Sequence, residues 1–420
     1  MTLPSRRLLG AIAFLLAFAA PAVQAETVRV AMIEMLSGPL GPTGHNLMNS
    51  YQTFSEIAAR ENWTGAGHTL EFTGFDNKGS PQESLALLKA AIDQGYRYIA
   101  QGTSSEIAAL LIDAVNDHNA RNPGREVLFI NHAAVDPDLT NQKCSFWHFR
   151  FDAHADMKME GLTSLMATDP GIKKVYLVGQ DYSFGRQVSR AAHEFLPRKR
   201  PDVQIVGDEL HPIGRVQDFS PYIARIKAAG ADTVLTGDWG SDLALLIKAA
   251  REANLQATFY TYYAGMSSSV MNTMGPAEAG KVKQIGNWHA NIENFPGKDV
   301  QEAFRRRYKE NFYATPTYTV VAMLTKAIGK AGSTEPLKVA MALENLSVTG
   351  FAGGDVTMRA DDHQVQGTLF ISTWAKANGR DVRFDEEDTG YGWKPDRSLP
   401  PRTVMLPTTC QMKRPAAAAR

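Results

Sequence analysis

The chain has 420 residues, with 44 basic and 44 acidic side chains, ten histidines and two cysteines. A formal charge of zero and the lack of any long basic run exclude an electrostatic nucleic-acid surface; the short run Arg305-Arg306-Arg307 falls on a predicted helix as a solvated face. Beyond the N-terminal segment no stretch is apolar enough to span a bilayer.

Residues 1–25 have the form of an export signal. Arg6 and Arg7 precede an apolar run from Leu8 to Ala20, and Val23-Gln24-Ala25 offers small residues for cleavage after Ala25. The run is too short for a retained membrane anchor, and no cysteine follows it for lipid attachment. Ser5-Arg6-Arg7 leaves the general and twin-arginine routes both open. The expectation is a periplasmic protein beginning at Glu26. About 395 residues then remain, enough for two domains. In an oxidising compartment Cys144 and Cys410 read as one disulfide, against two unpaired thiols, and the bond would tie the C-terminal tail to the middle of the chain.

The mature chain opens with a predicted strand through Val28, Val30 and Ile33. The stretch "SGPLGPTG", Ser37 to Gly44, follows, and its glycines and prolines mark it as neither helix nor strand. Leu47, Tyr51, Phe54 and Ile57 then recur at helical spacing, and Leu70 and Phe72 alternate in a second strand. Ser80-Pro81 with Glu83 predicts a capped helix, "YRYIAQG" a third strand, Ile107 to Val115 a third helix and "VLFINHAA" a fourth strand. The alternation restarts at "KKVYLVG" and runs to "ATFYTYY", with Ser220-Pro221 read as another helix cap. Two runs of βα units predict two parallel sheets covered by helices. Past residue 286 three helices follow one another, then short strands at "DVTM" and "GTLFIST". These read as completing the first two domains, which requires repeated crossing between them. The tail from Lys413 reads as frayed.

In open parallel sheets a ligand sits beyond the carboxyl ends of the strands. The loops there supply hydroxyls, helix-start N–H groups and aromatic rings, which suits a small polar-headed ligand with an apolar body. Thr103, Ser104 and Ser105 lie at a predicted helix N-terminus, where a ligand carboxylate would fit. Tyr182, Phe184, Trp239, Tyr262, Tyr263 and Trp288 are aromatics at or near loops. Asp242 is placed to cap a helix, leaving Asp238 freer to face a ligand cation. Phosphate-loop, dinucleotide-binding, G-x-S-x-G and H-E-x-x-H patterns are missing, and the histidines lack metal-ligand spacing. No cofactor, metal or catalytic activity is expected.

In order and spacing, "SGPLGPTG", "DNKGSPQESL", "GTSSEIA", "DPDLT", "DYSFGR", "TGDWGSDLALLIKAA" and "GDVTMRADDHQ" resemble the type I periplasmic solute-binding proteins of the branched-chain amino acid (Leu/Ile/Val) family. The resemblance covers nearly the whole mature chain. It implies two Rossmann-like lobes with parallel sheets, joined by a three-crossover hinge: residues 26–148 with 287–348, and 149–286 with 349–412, leaving 413–420 as a disordered tail. It also implies a monomer that closes on its ligand and docks on an ABC permease. Carried over by position, Thr43 stands where an aromatic is common, Thr103 to Ser105 match the segment that grips a carboxylate, and Ala133 matches a backbone contact. Val135 replaces a threonine that helps hold an ammonium, and Phe184 matches a second-lobe aromatic. The acidic ammonium partner falls near Asp238 or Asp242. The ligand is thus an aliphatic amino acid or an aromatic acid. A sensor of the same fold is the alternative, and an exported enzyme a distant third.

Overall fold

The computed structural model describes residues 25–293, 297–313 and 315–418, the Ala417 side chain excepted. Apart from Ala25, the expected export signal lies outside these residues. The first sheet is all parallel, in the order β2-β1-β3-β4-β5. Its strands are β1 (Thr27–Glu34), β2 (Thr69–Asp76), β3 (Tyr98–Gln101), β4 (Leu128–Asn131) and β5 (His148–Arg150). Helices α1 (Gly41–Arg60), α2 (Pro81–Asp93) and α3 (Ser105–Arg121) connect them. β1, β3 and β4 read as near-continuous apolar runs because both faces of the sheet are covered.

The α1 boundary corrects the expectation for "SGPLGPTG", since its second half is the first turn of α1. Pro42 sits where a missing N–H costs nothing. Gly44 lies so close to the chain ahead of it that a Cβ would run into the Met35 carbonyl. Ser80 does cap α2, its Oγ accepting from the Glu83 N–H at 3.2 Å. At the second expected cap, Ser220 is already helical and Phe219 precedes the helix without a side-chain bond.

The chain then enters a second sheet. Its parallel part holds β6 (Lys174–Gln180), β7 (Gln204–His211), β8 (Thr233–Thr236), β9 (Thr258–Thr261) and β10 (Val282–Gly286). Around it lie α4 (Ala155–Met166), α5 (Ser183–Lys199), α6 (Ser220–Ala228), α7 (Gly240–Glu252) and α8 (Ser268–Thr273). Next, α9 (Lys298–Tyr308), α10 (Thr315–Ala331) and α11 (Pro336–Leu343) return to the first lobe, with α10 packed on α1. A small antiparallel sheet of β11 (Ser347–Thr349), β12 (Asp355–Met358) and β13 (Val365–Gln366) follows. Two antiparallel strands, β14 (Leu369–Lys376) and β15 (Tyr391–Leu399), then extend the second sheet, and α12 (Pro401–Val404) packs on α4. Pro395 lies within β15, an edge strand, where a lost N–H is tolerated.

Two expectations for the C-terminal region differ from the packing. Val348, Phe351, Met358 and Val365 belong to the core of the first sheet, so the last crossing falls near residue 367 rather than 349. From Lys413 to Ala418 the tail is docked rather than frayed; the last two residues of the expected disordered segment lie outside the described residues. Arg414 pairs with Glu344 and lies 5.6 Å over the Phe146 ring, and Ala418 is buried on the first core.

The stretch after α12 therefore runs from the second lobe back to the first. Val404 lies in a second-lobe core, while the Thr409 N–H bonds Asn141 Oδ1 at 2.9 Å. Cys410 joins Cys144, 266 positions earlier, as one disulfide. Closing so long a loop restricts the unfolded chain. Replacing both cysteines by serine is expected to lower the unfolding free energy by about 2–4 kcal/mol. Urea titration followed by circular dichroism measures it; an unchanged midpoint contradicts a stabilising role.

Candidate functional site

The carboxyl edges of the two sheets face one another, and a cavity lies between them. From the first lobe it is lined by Thr43 and Leu47 of α1, Gly102 and Thr103 after β3, Ser105 of α3, and Ala133 and Val135 after β4. These positions are the loop ends of neighbouring parallel strands, so the sheet's right-handed crossovers gather them.

One group behind this wall is not signalled by the sequence. Glu34 ends β1, and its side chain is fully buried. Its Oε1 accepts from the N–H groups of Gly102 at 2.5 Å and Thr103 at 3.1 Å, and its Oε2 accepts from the Thr103 hydroxyl. His132 Nε2 lies 3.1 Å from Oε1. Ser104 caps α3, accepting from the Ile107 N–H at 3.3 Å, and lines an outer groove at the cleft mouth instead of the inner cavity. The Ser105 hydroxyl accepts from the Asp136 N–H at 3.2 Å.

From the second lobe the wall is aromatic. Tyr182 and Phe184 stand at the start of α5, Trp239 and Gly240 at the start of α7, and Tyr263 and Met266 follow β9. Tyr313, ahead of α10, closes one side. The Trp239 indole N–H donates to the Tyr182 hydroxyl at 3.0 Å, and Lys158 Nζ donates to the Tyr263 hydroxyl at 3.3 Å. Lys158 is itself held by Asp152 at 2.8 Å and lies 4.4 Å over the Tyr263 ring. Burial pushes both phenols above their ordinary pKa, so they keep their protons. Gly240 has φ +61, and a Cβ there would stand 3.0 Å from Leu40 of the opposite lobe. The cleft is closed.

Four of the expected residues are not on the inner wall. Besides Ser104, these are Asp238, Tyr262 and Trp288. Asp238 is fully buried and bonds His211 at 2.9 Å. Asp242 accepts from Gln180 and from the Gly214 N–H, both at 2.8 Å. Tyr262 donates to the Ala155 carbonyl at 3.0 Å, and Trp288 packs in the first core. Eight of the expected residues do line the cavity: Thr43, Thr103, Ser105, Ala133, Val135, Tyr182, Phe184 and Trp239. No Asp, Glu, Lys, Arg or His is among the described lining residues. Sequence reasoning missed Tyr313, because the chain after residue 286 carries no strand-end signal. It also missed Glu34, which sits inside an apolar strand pattern.

Residues 27–381 match the family model described as periplasmic binding protein. Over 415 residues the chain is 33% identical to the Leu/Ile/Val-binding protein homolog 4 of Brucella abortus, covering 94% of this chain and 95% of that protein. Among solved structures, it is similar to the leucine-, isoleucine-, valine-, threonine- and alanine-binding protein of Brucella ovis in its closed conformation. The TM-score is 0.80 at 30% identity, covering 93% of this chain and 100% of that one. A solute-binding protein of an ABC transporter from Rhodopseudomonas palustris, in complex with 3,4-dihydroxybenzoic acid, shares the fold with a TM-score of 0.77 at 18% identity. That match covers 89% of this chain and 98% of the other.

The role of Asp238 can be tested through pH. Burial opposes the His211 proton, but the hydrogen bond and charge of Asp238 outweigh it and raise the His211 pKa above its ordinary value. A raised pKa contributes stability that is full below the unfolded value of about 6.5 and lost as pH rises through the folded value. Asp238→Asn is therefore expected to be less stable than the parent, with the gap widest just below pH 6.5, narrowing above it and also at acid pH, where burial raises the Asp238 pKa and lets its carboxyl take a proton. Thermal melts across pH measure this; a pH-independent gap contradicts it.

Proposed function

The chain belongs to the periplasmic binding protein family, and from that premise we propose that it captures a small solute for an ABC importer. The observation that carries this reading is the closed, aromatic-lined cavity at the carboxyl edges of both sheets. Two lobes joined by crossovers can hinge apart to admit a solute and close to exclude water. The solute has an apolar body and a carboxylate: a branched-chain or other apolar amino acid, or an aromatic acid. The relatives named for leucine, isoleucine and valine support the first class. The rings of Tyr182, Phe184, Trp239, Tyr263 and Tyr313, placed to stack on an aromatic body, support the second.

The protein acts in the periplasm, after cleavage behind Ala25. Its partner is the permease of the importer, which meets the joined rims of the closed lobes. It works as a monomer, a reading supported by a cavity whose walls both come from one chain.

A thermal-shift screen of the mature protein against amino acids and aromatic acids tests the reading. A bound solute at about 100 times its Kd is expected to add about 2.7 kcal/mol of stability. A flat response across both classes contradicts solute capture.

A further inference from the structure

We infer that the cavity selects a carboxylic acid without an ammonium group, whose second polar group is an oxygen that accepts hydrogen bonds. The inference rests on the solute-capture reading and narrows its solute class, setting the apolar amino acids aside.

An ammonium stripped of water needs several acceptors and a balancing negative charge. No Asp or Glu lines the cavity among the described residues, and residues 1–24, 294–296, 314 and 419–420 contain neither. The carboxylates behind the wall are committed elsewhere. Glu34 is buried against the N–H groups of Gly102 and Thr103 and the Thr103 hydroxyl, with His132 at 3.1 Å. Asp136 accepts from the Asp138 N–H at 3.0 Å, and Asp152 holds Lys158 and Asn287, both at 2.8 Å. Asp238 holds His211, and Asp242 holds Gln180 and the Gly214 N–H. Main-chain acceptors of the wall are taken up as well. The carbonyls of Val135, Tyr182 and Tyr263 accept from the N–H groups of Ala155, Arg186 and Met266, and that of Trp239 accepts from Gln180.

Donors, by contrast, are available on both walls. Helix α3 begins at Ser105, so the N–H groups of Ser105 and Glu106 lie in its first turn and have no intrahelical partner. The Ser105 hydroxyl accepts from the Asp136 N–H, which leaves its own proton to give. The helix start adds a partial positive charge, so a carboxylate is held here without a lysine or arginine on the wall. On the second lobe the Tyr182 hydroxyl accepts from Trp239 at 3.0 Å, and the Tyr263 hydroxyl accepts from Lys158 at 3.3 Å. Neither phenolic proton has an acceptor among the described residues, so both remain to be donated. The complement of this wall is a carboxylate at α3, an apolar or aromatic body, and an oxygen acceptor toward the tyrosines. An amino acid brings a cation that this wall leaves without a charged partner.

Calorimetry on the full mature protein compares acids of one skeleton with and without the amine: leucine with 4-methylpentanoate, and free tyrosine with 3-(4-hydroxyphenyl)propanoate. It also compares 4-hydroxybenzoate with benzoate, which lacks the second oxygen. In every amine pair with a binding member, the amine-free acid is expected to bind tighter by about tenfold or more. The ring hydroxyl is expected to tighten benzoate binding by about threefold or more. That gain is expected to disappear in Tyr182→Phe or in Tyr263→Phe, with melting temperatures as the check on folding. Should a variant not fold, the series on the parent protein decides.

A smaller gap in either amine pair, or an amino acid that binds tighter than its amine-free twin, overturns the inference and leaves solute capture standing. So does a hydroxyl gain that is missing in the parent or unmoved in both variants. Silence from the whole series removes the capture reading, and the inference with it.

Discussion

The structure depends on how three chain crossings are held at one point. Asp152 lies on the first crossing, just after β5, and is buried. Its backbone carbonyl accepts from Gln364 of the third crossing at 2.8 Å, and its carboxylate accepts from Asn287 of the second at 2.8 Å. The same carboxylate pairs with Lys158. Two residues earlier, the buried Arg150 guanidinium reaches Gln364 at 2.5 Å and the Asp136 carbonyl at 2.5 Å. A buried charge left without partners costs several kcal/mol, so these side chains hold one another in place. The lobes pivot about a knot of charge-assisted bonds rather than about loose loops.

This knot also touches the cavity. Lys158 extends from Asp152 to the hydroxyl and ring face of Tyr263, a lining residue. A solute that engages Tyr263 therefore meets a side chain already tied to all three crossings. The tail adds a further link between the lobes. It leaves the second-lobe core at Val404 and is fastened to the first lobe through Asn141, the Cys144–Cys410 bond and Glu344. Opening is thus limited by three crossings and a covalently pinned strap. Closure brings Gly240, at φ +61, against the Leu40 side chain of the opposite lobe.

Much of this was legible in the sequence, for reasons that differ by element. The βα alternation follows from apolar runs and Gly/Pro breaks, which are local. Tyr182, Phe184 and Trp239 could be placed because each lies just after a strand, where the topology fixes the edge. The opening of α1 was not legible: prolines and glycines read as a loop, yet a first helical turn accepts proline, and Gly44 is required by a contact with Met35. Asp238 looked available because its partner, His211, is 27 residues upstream. Glu34 was invisible because the donors it satisfies lie 68 and 69 residues further on. Side chains whose roles are set by pairing across strands leave no local trace.

In the capture reading a solute holds the two lobes together about this hinge. Its most direct test is the distance across the cleft mouth, measured by double electron–electron resonance between unnatural spin-labelled residues at Glu106 and Arg215, which line the outer groove from opposite lobes. The labels leave the native disulfide intact. With saturating solute the distribution is expected to be short and narrow, matching the closed cleft; without solute it is expected to shift to longer distances. The same distribution with and without a tightly bound solute would contradict capture by lobe closure.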